Sequence, residues 1–147
     1  MAGVRRGATA ILRFYIPLYV VAVIVQIFLA GEGIFGIKKG VKLDDQKTLD
    51  PHRGLGFFLT IPGALLMLIL ALLAWHPDRR IRRATIALPF ILFGQNLLAN
   101  AGRWGGAFHP LLAFVILGML GWLAGMFWGA HGARATRREE TTSVPTG

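Results

Sequence analysis

The sequence predicts an all-α integral membrane protein, an up-down-up-down bundle of four helices with both ends in the cytoplasm. Three observations carry that prediction. The 147 residues are 54% hydrophobic and only 16% charged, whereas a soluble domain is about a quarter charged. The apolar residues gather in four runs joined by short polar stretches. The basic residues sit at the ends of those runs, with an excess on one side.

The expected helices cover about residues 10–37, 52–75, 84–102 and 109–130. Crossing about 30 Å of hydrocarbon takes about 20 residues at about 1.5 Å each. The second and fourth runs meet that length. The third is short, holds Pro89 and carries Gln95, Asn96 and Asn100, so it is expected to pack among the others rather than face lipid all round. The first continues past its apolar core into a charged loop without a small-residue cleavage site, unlike a signal peptide. Short connections make consecutive helices antiparallel. Residues 133–147 read as a disordered cytoplasmic tail.

Orientation follows from counting arginine and lysine. Arg5, Arg6, Arg13, Arg79, Arg80, Arg82, Arg83, Arg134, Arg137 and Arg138 share one side, ten against six. Lys38, Lys39, Lys42, Lys47, Arg53 and Arg103 share the other. The richer side is expected inside, giving N-in and C-in in a multi-pass protein of the bacterial cytoplasmic membrane.

Several function classes fall away. Without cysteine there is neither a disulfide framework nor a thiolate metal site. The net charge of +9 does not point to nucleic acid, because it lies at the ends of apolar runs instead of forming one basic face. The sequence holds no P-loop, nucleophile elbow or metalloprotease motif. Its few carboxylates lie near helix ends or in loops, with no pair spaced for acid/base work.

The polar residues inside the runs converge on one depth. In the expected topology Gln26, Glu32, His52, Arg53, Gln95, Asn96, Asn100, Arg103 and His109 all fall toward the outer face, though Gln95 is not counted among the cofactor-binding residues. Polar groups in lipid are costly unless they face the bundle or a cavity, so this coincidence suggests a site. His52 and His109 open helices two and four, which run parallel across the core. Opposed imidazoles there form a pair of axial haem ligands, whereas zinc wants three or four ligands. Gly56, following His52 at helical spacing, leaves room for a flat ring, as does the stripe Ala22, Gln26, Ala30 and Gly33. Arg53 and Arg103 suit haem propionates, since the guanidinium fork matches a carboxylate. The cofactor expected is one haem b. His76 and His131 end helices two and four on the cytoplasmic side, and a second haem there is disfavoured by the wet rim. Gly121, Gly125 and Gly129 are spaced for close helix packing, including oligomer contacts.

The stretches His52-Arg53-Gly54-Leu55-Gly56 and His109-Pro110-Leu111-Leu112-Ala113-Phe114 resemble the haem-ligating helix starts of haem A synthases. Those enzymes resemble two fused four-helix bundles, and this chain resembles one such half. It also resembles a family of small, uncharacterised four-helix bacterial membrane proteins, over about residues 10–130. The resemblance implies haem ligation by His52 and His109. It does not extend to haem A synthesis: Leu49 stands where those enzymes carry the glutamate of a Glu-x-x-His-Arg motif, and their extracellular cysteines are absent.

The reading that follows is a b-type haem protein for electron transfer more than a catalyst, since filled axial positions leave the iron closed to substrate. Its partners would be the bilayer and a membrane quinol or a redox protein. Two alternatives stand beside it: a cofactor-free accessory or scaffold protein, and a small-solute transport subunit using Gln26, Asn96 and Asn100.

Overall fold

The computed structural model describes residues 1–42 and 45–142, with side chains to residue 129. Among the described residues the chain folds into four helices. Helix α1 is Ala2–Phe35, α3 is Arg79–Ala99 and α4 is Gly102–Thr142. Helix α2 covers residues 50–74 as one continuous rod: Asp50–Phe58, a π-helical turn Leu59–Gly63, and Ala64–Ala74. A 3₁₀ turn, Lys47–Leu49, leads into it.

Each helix packs on its chain neighbours, and α4 returns to close against α1. Cross-helix contacts give the direction. Tyr15 meets Gly63, Tyr19 meets Leu59 and Gln26 meets His52, so α2 descends as α1 rises. Gln95 meets His109 across the next hairpin, and Arg13 meets Trp128 near the far end of α4. The bundle is therefore up-down-up-down, with α2 and α4 on a diagonal.

The core is a stack of apolar side chains at helical spacing. Leu12 and Ile16 of α1, Met67 of α2, Leu88 of α3, and Ile116, Leu120 and Leu123 of α4 are sealed from outside. The outward faces are equally apolar: Phe14, Leu18, Phe28, Phe57, Phe90, Phe114 and Val115 are all exposed. A surface of that kind exceeds what a monomer leaves to water. Three of the helices, α1, α2 with its leading turn, and residues 102–129 of α4, are long and apolar enough to span a membrane.

Prolines inside helices leave carbonyls without their usual donor, and at Pro17 a neighbour supplies one. Pro17 cannot bond to Arg13 O, and the Trp128 indole N–H donates to it instead, at 3.0 Å. Pro62 lies in the π turn of α2, beside which Tyr19 donates to Leu59 O and Tyr15 to Gly63 O, the latter at 2.9 Å. Re-satisfaction by adjacent helices is what a dry environment demands.

The boundaries differ from the sequence expectation in one consequential place. The stretch expected to connect helices three and four, residues 102–108, is helical. Asn100 and Ala101 make the turn with Gly102 at φ +69°, and α4 starts at Gly102. His109 and Pro110 thus lie two turns inside α4, not at its start. Arg103 likewise belongs to α4, so it does not continue an α3 face with Asn96 and Asn100. At the other end the helical backbone runs on to Thr142, into the stretch read as a disordered tail. Between α2 and α3, Trp75 takes a left-handed backbone at φ 38°. Asp78 then caps α3, accepting from the N–H groups of Arg80 and Ile81.

Candidate functional site

One polar residue from each helix meets at a single level: Gln26 of α1, His52 of α2, Gln95 of α3 and His109 of α4. They form two pairs with the same wiring. The Gln26 amide donates to His52 O at 2.8 Å, and His52 Nδ1 lies 3.1 Å from Gln26 O. The Gln95 amide donates to His109 O at 2.8 Å, and His109 Nδ1 lies 3.0 Å from Gln95 O.

These bonds fix the tautomer. A carbonyl oxygen only accepts, so each Nδ1 carries the proton and, in the neutral ring, each Nε2 carries the lone pair. Metal-ligating histidines are held in the same way by a backbone carbonyl. The two rings stand across the diagonal with centroids 6.3 Å apart and planes at 84°. The Gln95 amide also approaches His109 Nε2, at 3.5 Å, the outer limit of a hydrogen bond.

The two pairs repeat one wiring pattern in the two hairpins. Gln26 and His52 are 26 residues apart, and Gln95 and His109 only 14. The twelve-residue difference is the difference between the long connection 36–49 and the two-residue connection 100–101. The hairpins α1–α2 and α3–α4 thus present the same unit at the same depth. Each leaves one atom over: Gln26 Oε1 and Gln95 Oε1 are buried and accept no hydrogen bond among the described residues.

Other expected site residues are placed differently. The space beside Gly56 is filled by the Gln26 amide, which a Cβ there would meet at 2.7 Å. Gly33 makes room for Thr48 and Leu49 of the returning loop, not for a ring. Arg53 bonds Asp50 Oδ1 at 3.1 Å and Gln46 O at 3.2 Å. Arg103 is exposed, 5.8 Å from the Trp104 ring centre. Asn100 turns back to donate to Asn96 O at 2.9 Å, a local bond at the end of α3. Gly121, Gly125 and Gly129 lie on the outer face with nothing within 4 Å of an added Cβ, so they do not pack within this bundle. His76 Nδ1 accepts from the Asp78 N–H at 3.2 Å, which puts its proton on Nε2, the reverse of the site histidines. The His131 side chain lies outside the described residues.

Gln95 is the residue that sequence reasoning passed over as a site member. It is 7% exposed. Its signal was symmetry: in a tight hairpin, positions equally far from the turn face each other, and Gln95 and His109 lie equally far from Gly102.

No family model, curated protein or solved structure matches this chain. The likeness to half of a haem A synthase rests on the two histidine motifs alone. Among the described residues no three histidine, aspartate or glutamate side chains gather as a metal site. The chemistry on offer is two Nε2 lone pairs and two amide oxygens at one depth.

Proposed function

We propose that this chain is a membrane protein that holds one haem b between His52 and His109 and serves electron transfer. The observation that carries the reading is the diagonal pair itself: residues far apart in sequence, both Nδ1–H tautomers, with ring centroids 6.3 Å apart. His52 and His109 would hold the haem, which when bound would supply a one-electron iron couple. The chain's own part is to hold and orient those two rings. Gln26 O and Gln95 O accept the Nδ1 protons and orient the rings, and the two amides clamp each histidine's backbone. The Gln26 amide nitrogen that bonds His52 O is also the group beside Gly56, so admitting a ring there would require that bond to be released. Arg53 and Arg103 stand toward the loop end of the bundle and are the cations proposed for the propionates.

The same bundle is proposed to lie in the bacterial cytoplasmic membrane, N-in and C-in. Arg5, Arg6 and the arginines from Arg79 to Arg83 share the end opposite the lysine-bearing loop 36–49, and arginine-rich ends stay inside.

A cofactor-free accessory role is the second reading, and it too has an observation in its favour. The reciprocal glutamine–histidine bonds fasten each hairpin without any ligand. Visible spectra of the purified protein, oxidised and reduced, separate the two. Haem binding gives a sharp low-spin reduced spectrum that is lost or becomes high-spin in His52→Ala and in His109→Ala. A protein that stays colourless after haem is supplied leaves the accessory reading.

A further inference from the structure

The end of the bundle opposite the histidines carries a groove between the start of α1 and the end of α2, lined by Met1, Val4, Arg5, Leu72, Leu73 and Trp75. Leu72 lies 20 residues beyond His52, about 30 Å along a helix. That is the thickness of a hydrocarbon layer, so the groove sits at the opposite headgroup level. One cation lines it and a second lies against the Trp75 ring. Arg5 lines the groove, and the Arg82 guanidinium lies 5.0 Å from the Trp75 ring centre, anchored by a 3.0 Å bond to His76 O. Trp75 holds its place in a left-handed backbone that an L-residue with a bulky side chain adopts only under constraint.

We propose that this groove binds one anionic phospholipid, its phosphate between Arg5 and Arg82 and an acyl chain along Val4, Leu72 and Leu73. The apolar wall alone would take any lipid. The Arg5 guanidinium in the groove wall and the Arg82 guanidinium on Trp75, each suited to phosphate oxygens, select a net negative one. Tryptophan at the headgroup level bridges the two zones. The site rests on the chain spanning a bilayer and is independent of haem.

Native mass spectrometry of protein released from nanodiscs holding equal phosphatidylglycerol and phosphatidylcholine of the same chains tests it. One phosphatidylglycerol is expected to be retained in preference, with Arg5→Gln and Arg82→Gln each lowering that preference about fivefold. Arg5→Gln is the cleaner variant, because Arg82 also holds the turn. Arg83→Gln, at an exposed neighbouring position, is expected to change nothing. Equal retention of both lipids, or an Arg83→Gln effect as large as that of Arg5→Gln, would overturn a defined site. So would displacement of the lipid by excess inorganic phosphate, which would leave an anion site only. A protein that does not enter nanodiscs at all would overturn the membrane reading beneath it.

Discussion

His52 and His109 face each other across the diagonal of the bundle with ring centroids 6.3 Å apart, and each is held by a glutamine from the helix beside it. Neither histidine meets its own hairpin partner through a side chain–side chain bond of normal length. The glutamine amide takes the histidine's backbone, and the histidine ring takes the glutamine's backbone. The ring is thus aimed by main chain, which does not swing.

The two glutamines are expected to behave alike because their bonds are alike. Gln26→Leu and Gln95→Leu each remove one amide–carbonyl bond between helices, worth about 1 kcal/mol in a membrane setting. Unfolding in mixed detergent micelles measures that loss. Because the backbone carbonyls of residues 26 and 95 remain, nitrogen shifts of the imidazoles should report protonated Nδ1 in the parent protein and in both variants. A mixture of tautomers in either variant would mean that the amides, not the carbonyls, aim the rings.

Tyr19 and Tyr15 are expected to differ. Both donate to carbonyls around the π turn, but Tyr19 is 3% exposed while Tyr15 is half-buried. Tyr19→Phe strands a buried acceptor contact and should cost about 1–2 kcal/mol, with Tyr15→Phe costing less. The order of the two unfolding midpoints is the check.

Two glycines separate a soft contact from a hard one. An added Cβ at Gly56 meets the end of the Gln26 side chain, whereas at Gly33 it meets Leu49 at 2.6 Å and Thr48 O at 3.0 Å. Gly33→Ala should therefore destabilise by about 1–3 kcal/mol through overpacking against backbone. Gly56→Ala should cost less in stability and act on the orientation of Gln26. Thermal melts of the two variants side by side test the ranking.

Trp128 and Pro17 are expected to be coupled. Trp128→Phe leaves Arg13 O without its indole donor and should cost about 1 kcal/mol. Pro17→Ala restores an N–H that can bond Arg13 O within α1. In that background Trp128→Phe should cost less, and a double-mutant cycle reads the difference. Additive effects would show that the Trp128 bond does not compensate for the proline.

The helical class, the four-helix count and the antiparallel order were legible because hydropathy patterning is a local, one-dimensional signal. So was the depth of Gln26, His52 and His109, since rise per residue converts position into height. The start of α4 was not. Gly105 and Gly106 read as loop, yet Asn100 and Ala101 with a left-handed glycine at 102 suffice for the turn, and packing on α3 extends the helix over residues that propensity disfavours. The glycines told a similar story. Gly56 and Gly33 were read as room for a flat ring, because sequence does not say which side chain comes close. Gln26 and the loop at Thr48 and Leu49 are what come close.

By itself the sequence determined how many helices form, which way each runs and at what depth its polar residues lie, because each of those follows from local order along the chain. Which side chains meet at that depth was decided by tertiary structure. Rotation of each helix about its axis, set by packing of Leu12, Ile16, Met67, Leu88 and Leu120 into one core, turns Gln95 inward, leaves Asn100 at the surface and brings two histidines face to face.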